Sequence, residues 1–148
     1  MNTNSDPSAH VNSAHVKVLV VDDEPAILIT LKKILQQAGY EVQTAQSGKE
    51  GLDVFRQGHW DLVTLDRSMP EMNGETVARE MRKIAPRVPI ILITGFPDAV
   101  VRRELFDAVI AKPFLAADLL KCFTQTLGKQ SGGAQPVAQT RMAGSVCD

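Results

Sequence analysis

Apolar positions along the chain come in short β-branched runs that alternate with stretches of helical period. Residues 16–21, VKVLVV, form one such run and read as a strand. Pro25 follows at a position suited to the first turn of a helix. Ile27, Leu28, Leu31, Ile34, Leu35 and Ala38 then recur at helical spacing, and Gly39 ends the helix. Residues 40–45, YEVQTA, alternate and read as a second strand. Ser47 with Glu50 makes a capping box that opens a helix to Gln57. Residues 61–65, DLVTL, are a third strand. Asn73 caps a helix to Ala85, with Val77, Met81 and Ile84 on one face. Residues 89–94, PIILIT, are a fourth and strongly apolar strand; residues 98–106 give a short, weak helix; residues 108–111, AVIA, are a fifth strand. A last helix covers residues 116–127, with Leu119, Leu120, Phe123 and Leu127 inward.

Five β-α repeats in succession predict an α/β fold with a mostly parallel sheet and helices on both faces. VKVLVV and PIILIT are apolar without alternation, as strands covered on both sides should be. Crossovers must be right-handed, which leaves few topologies, and a doubly wound five-stranded sheet of order 2-1-3-4-5 is the most economical. The domain is expected over residues 16–128. Residues 1–15, polar and unpatterned, read as a flexible N-terminal arm, and residues 129–148, rich in Gly, Ser and Gln, as a flexible C-terminal tail. His10 and His15 lie in the arm with no other ligand near them in sequence, so they do not make a metal site.

At 148 residues the chain fits one domain with a real core. Its 16 Lys and Arg against 17 Asp and Glu give a net charge of −1, without the basic excess of a nucleic-acid binder, so no direct nucleic-acid contact is expected. Cys122 and Cys147 fit neither a CxxC nor a zinc spacing, and reduced thiols are expected. No apolar run approaches the ~18 residues of a membrane span, and residues 1–15 lack the apolar stretch of a secretory signal. A soluble, cytoplasmic protein is the expectation.

In a doubly wound sheet the working crevice lies beyond the carboxyl ends of the strands. Asp22, Asp23 and Glu24 follow the first strand, Asp66 the third, Thr94 ends the fourth, and Lys112 follows the fifth. The carboxylates of Asp22, Asp23 and Asp66 would crowd one pocket and repel unless a cation joined them. Mg²⁺ is the natural one, since it takes a few carboxylates and keeps its remaining positions for water and phosphate oxygens. Lys112 suits a phosphoryl oxygen, and the Thr94 hydroxyl adds a donor. The set describes a phosphoryl-acceptor site in which Asp66 attacks phosphorus and becomes an aspartyl phosphate. Singly, these residues have ordinary explanations: Asp23 as a helix cap, Thr94 as a turn residue, Lys112 as a solvated loop charge. Their order on four strand ends carries the reading.

The stretches VLVVDDEP at 18–25, DLVTLDRSMPEMNG at 61–74, IILITGF at 90–96 and AKPF at 111–114 resemble the receiver domain of two-component response regulators. The resemblance covers about residues 16–127 and implies the flavodoxin-like fold. It implies Asp66 as phospho-acceptor, Thr94 as switch hydroxyl and Lys112 as the family's lysine. It also implies Asp23 as the main metal-binding acid with Asp22 beside it, and Ser68, through its backbone carbonyl, completing the Mg²⁺ shell. Gly74 matches the turn glycine before the third helix, and Pro113 the proline that follows a cis peptide bond. The implied partner is a sensor histidine kinase or a histidine phosphotransfer protein, with a homodimer as a further candidate assembly. The implied protein is no conventional enzyme; it promotes its own Mg²⁺-dependent phosphorylation and dephosphorylation.

Two departures stand out. Val109 occupies the place of the family's Tyr or Phe, which puts the usual Thr-aromatic coupling in question. The stretch between Thr94 and Lys112 is shorter than the family's by roughly one helical turn, so the fourth helix should be short. Phe96 and Ser68 stand where family members tune phosphate lifetime; Phe96 either shields the acyl phosphate or is an exposed loop aromatic. Arg67 reads as a solvated rim charge, His59 as a surface turn residue, and Trp60 as packing at the edge opposite the site.

A phosphatase of the haloacid-dehalogenase type needs a second Asp two residues after its nucleophile, where this chain has Ser68. A flavin site would meet the acidic DDEP loop, which repels phosphate. A phospho-independent pseudo-receiver, a protein-interaction module, typically lacks an acid or the lysine; all are present here, but Val109 and the short fourth helix keep it as the alternative. The chain is expected to be a stand-alone receiver or one cut from a larger protein such as a hybrid sensor kinase.

Overall fold

The computed structural model describes residues 16–96 and 102–132, the side chains of 130–132 excepted. In chain order the elements are β1 (Lys17–Val21), α1 (Pro25–Gln37), β2 (Glu41–Ala45), α2 (Gly48–Gln57), β3 (Leu62–Asp66), α3 (Gly74–Ile84), β4 (Ile90–Thr94), a 3₁₀ turn (Arg103–Leu105), β5 (Ala108–Ala111) and α4 (Ala116–Gly132). The five strands form one sheet of order β2-β1-β3-β4-β5, every neighbouring pair parallel. This is the α/β, doubly wound arrangement that the alternation predicts.

Side chains on β1 alternate between two apolar layers, because successive residues point to opposite faces. Val18 and Val20 join Leu28, Leu31 and Leu35 of α1 and Leu119 and Phe123 of α4 on one face. Leu19 and Val21 join Leu52 and Phe55 of α2 and Val77 and Met81 of α3 on the other. Strands β3 and β4 are buried along their whole length, whereas the edge strand β2 alternates exposed and half-buried positions. That contrast explains why the central strands read as unbroken apolar runs.

The caps follow the sequence. The Ser47 side chain accepts from the Glu50 N–H at 3.0 Å. The Glu50 carboxylate accepts from the Gln46 N–H at 2.8 Å, one residue earlier than a reciprocal box would place it. The Asn73 side chain accepts from the Thr76 N–H at 2.9 Å and starts α3. Gly39, at φ 100°, takes the left-handed conformation that ends α1.

Several expectations differ from the structure. Ile84, the last residue of α3, is 46% exposed, because the cover over Val77 and Met81 does not extend to the helix end. Of the helix expected over residues 98–106, residues 98–101 lie outside the described residues, and 103–105 form a single 3₁₀ turn. Helix α4 continues to Gly132 rather than ending at Leu127, since no proline interrupts it and Gly128 alone costs only about 1 kcal/mol. Cys122 is fully buried on α4, which its place on the inward face beside Phe123 explains. The expected N-terminal arm, with His10 and His15, and Cys147 lie outside the described residues. No helix among the described residues is long and apolar enough to cross a membrane.

Candidate functional site

Parallel pairing brings the carboxyl ends of β1, β3, β4 and β5 to one edge, and the polar residues that follow them meet there. Asp22, just past β1, is held by its own backbone, whose N–H donates to the Ala45 carbonyl at 3.1 Å. The residue is 1% exposed, and Oδ1 accepts from the Glu24 N–H at 2.9 Å, which fixes the turn into α1. Asp66 ends β3 at 5% exposure. One ligand oxygen from each of Asp22, Asp23 and Asp66 lies within 4.8 Å of the others.

Lys112 reaches this cluster from the end of β5. Its backbone N–H donates to the Thr94 carbonyl at 2.8 Å, which extends the β4–β5 pairing by one residue. Its Nζ donates to Asp66 Oδ1 at 2.9 Å and stands 3.4 Å from both Asp22 Oδ2 and Glu24 Oε1. The Lys112–Pro113 peptide is cis, as the resemblance implies. Thr94 is buried at the end of β4, and its hydroxyl accepts from the Phe96 N–H at 2.9 Å. Phe96 itself is 70% exposed, which makes it an exposed loop aromatic. Val109, in register with Leu92, is half-buried on β5.

The loop after Asp66 is tied back on itself. The Gly74 N–H donates to the Arg67 carbonyl at 2.9 Å. A Cβ on Gly74 would stand 2.6 Å from the Asp66 carbonyl oxygen and 3.1 Å from Arg67 Cα, so only glycine lets α3 begin this close to the acceptor strand. Glu71, at φ 70°, turns the loop, and Ser68 is exposed within it.

Burial sets the electrostatics. Desolvation raises the Asp66 carboxyl from 3.8 to about 6, helped by the Asp22 and Asp23 charges and opposed by the Lys112 hydrogen bond. Desolvation raises Asp22 as well, against the Glu24 N–H and Lys112. For Lys112, burial pushes downward, but the hydrogen bond to Asp66 and the charges of Asp22, Asp66 and Glu24 outweigh it and hold the ammonium above its ordinary value. Two desolvated carboxylates with one lysine carry excess negative charge, and an oxygen-seeking divalent cation suits such a donor set. Mg²⁺ therefore fits the residues present.

Other candidates stay apart. His59 is exposed before β3, and Trp60 packs at the opposite edge with the Lys17 ammonium 5.2 Å from its ring centroid. Arg67 points to the Glu75 carboxylate, 3.9 Å away, rather than standing as a solvated rim charge. The arrangement also holds contacts that no motif announces. Glu24 reaches Lys112 across the pocket. Arg82 on α3 donates to the Leu105 carbonyl at 2.9 Å, to the Pro86 carbonyl at 3.1 Å, to the Val88 carbonyl and to Asp107 Oδ2 at 3.1 Å. That fan of bonds clamps the 3₁₀ turn onto α3. Nothing in the spacing around Arg82 signals it, because most of its acceptors are backbone carbonyls.

Comparisons with known proteins agree with this geometry. The family model for the response regulator receiver domain matches residues 18–124. A probable transcriptional regulator, ycf27 of Cyanophora paradoxa, is 42% identical over 107 residues, covering 70% of this chain and 44% of that protein. The sensor kinase CckA of Brucella abortus is 37% identical over 124 residues, covering 80% of this chain but 13% of the kinase. The chain thus spans less than half the length of these two relatives. The crystal structure of response regulator TrrA from Thermotoga maritima with Mg²⁺–BeF superposes with a TM-score of 0.71 at 38% identity, covering 75% of this chain and 98% of that one. A family match that runs from β1 into α4, over a sheet that gathers three acids, a threonine and a lysine at one edge, means that this chain belongs to the response regulator receiver domain family of two-component signalling.

Proposed function

We propose that the chain takes a phosphoryl group onto Asp66 from a phosphohistidine donor and signals by the change that follows. The observation that carries this reading is the contact of Lys112 Nζ with Asp66 Oδ1 at 2.9 Å inside the Asp22–Asp23–Asp66 cluster. Asp66 supplies the attacking oxygen: a P–O bond forms as the donor's P–N bond breaks, and the imidazole leaves. Lys112, already hydrogen-bonded to the acceptor, is placed to hold a phosphoryl oxygen, and the buried Thr94 hydroxyl offers a second donor. Asp22, Asp23, Asp66 and the Ser68 carbonyl would hold Mg²⁺, which when bound neutralises the carboxylates and the oxygens of the transferring group. Promotion of its own phosphorylation and dephosphorylation is part of the proposal.

A sensor histidine kinase or a histidine phosphotransfer protein would supply the phosphoryl group. The likeness to TrrA, solved with Mg²⁺–BeF, supports both the metal and the acceptor chemistry. The phospho-independent alternative loses its footing, because every acid and the lysine converge on one pocket.

The test is incubation with Mg²⁺ and acetyl phosphate followed by intact mass, with Asp66→Ala alongside. A phosphoryl adduct on the wild type and none on the variant is the expected result. An adduct that persists in the variant overturns the assignment of Asp66. No adduct and no beryllofluoride complex would return the phospho-independent reading.

A further inference from the structure

Glu24 has an unusual disposition for its position. It is the N-cap residue of α1, yet its side chain makes no capping bond. Its backbone is fixed at both ends: the N–H donates to Asp22 Oδ1 at 2.9 Å, and the carbonyl accepts from Ile27 and Leu28 at 3.0 and 3.1 Å. The carboxylate then crosses the pocket mouth to stand 3.4 Å from Lys112 Nζ. That ammonium is the one Asp66 holds at 2.9 Å. The side chain of Glu24 is 60% exposed, that of Lys112 19% and that of Asp66 6%, so Glu24 sits at the mouth and the others lie within.

We infer that Glu24 is a positioning residue that restrains phosphorylation: it shares the Lys112 ammonium with Asp66 and sets a negative charge at the mouth that an anionic phosphodonor must pass. This rests on the phospho-accepting reading above. Two effects act in the same direction. An ammonium shared with Glu24 is less committed to a phosphoryl oxygen, and a carboxylate at the entrance repels an arriving phosphate dianion. A unit charge about 6 Å away in a water-like medium changes the binding of a monoanion by roughly threefold and that of a dianion by roughly tenfold. Because the Glu24 carboxylate is exposed, added salt should screen that factor.

Glu24→Gln removes the charge and leaves the backbone cap in place. With saturating Mg²⁺ and low salt, the expected result is an apparent beryllofluoride affinity about threefold higher, and an acetyl-phosphate kcat/KM about tenfold higher, than wild type. The gain lies in KM and shrinks toward unity in high salt. Glu24→Asp, which keeps the charge at the mouth but withdraws it from Lys112, falls between wild type and Glu24→Gln. A thermal melt of both variants separates these effects from misfolding, since the exposed side chain makes no cap bond. An unchanged or weaker affinity in Glu24→Gln, a gain indifferent to salt, or a Glu24→Asp protein as active as Glu24→Gln overturns the inference. A wild type that forms neither adduct overturns the phospho-accepting reading and this one with it, whereas a phosphorylated wild type with an unaltered Glu24→Gln overturns the role of Glu24 alone.

Discussion

Replacing Asp66 with Asn should make the metal-free domain more stable, and the gain should grow with pH. Asn keeps the shape and can still accept from Lys112, but it carries no charge. The folded protein raises the Asp66 carboxyl from 3.8 to about 6, chiefly by desolvation, then by the Asp22 and Asp23 charges. A raised carboxyl means the folded state holds its proton more tightly than the unfolded chain. Its contribution to stability is therefore fully present below 3.8 and is lost as pH rises through about 6. The shift corresponds to about 3 kcal/mol at pH 7.5 and about 1 kcal/mol at pH 4.5. For a domain of this size 1 kcal/mol moves the melting point by roughly 4 °C, so Asp66→Asn should melt about 10 °C higher at pH 7.5 in EDTA. Saturating Mg²⁺ should close the gap. At a hundredfold excess over Kd it should stabilise the wild type by about 2.7 kcal/mol, and the neutral amide should bind it less well. The assay is urea or thermal denaturation at the two pH values, with EDTA or Mg²⁺. An Asn variant no more stable than wild type in EDTA, or a gap that does not widen from pH 4.5 to 7.5, refutes the account of a desolvated acid among like charges.

Two further substitutions test how the site is framed. Gly74→Ala places a methyl 2.6 Å from the Asp66 carbonyl oxygen. It should cost about 1–3 kcal/mol in urea denaturation, and an Ala variant as stable as wild type would show that α3 does not press on the acceptor strand. Arg82→Met keeps the apolar stem but leaves the Leu105 carbonyl and half-buried Asp107 without their guanidinium. A loss of about 2–4 kcal/mol is expected, with faster amide exchange at Leu105 and Phe106, and an unaltered exchange pattern would refute the clamp.

Much of the fold was legible because its signals are local. Two-sided burial leaves no polar face on VKVLVV or PIILIT, so both read as central strands. Ser47 and Asn73 mark helix starts because a short side chain three residues ahead of a free N–H closes a bond within one turn. The acids and the lysine are legible because each stands at or within two residues of a strand's carboxyl end. Ile84 differs because helical period specifies a face but not how far along the helix that face is covered.

By itself, then, the sequence determined the order of elements, the parallel sheet, and the convergence of Asp22, Asp23, Asp66, Thr94 and Lys112 at one edge. Those follow from residue spacing and strand burial, which act over a few residues, and from the handedness of crossovers, which acts within one β-α-β unit. Only the tertiary structure decided how the charges are shared. Glu24 and Lys112 are 88 residues apart, and Arg82 and Asp107 are 25 apart. Whether such pairs meet depends on side-chain direction and on the burial that raises Asp66, and both belong to the packed chain rather than to any stretch of it.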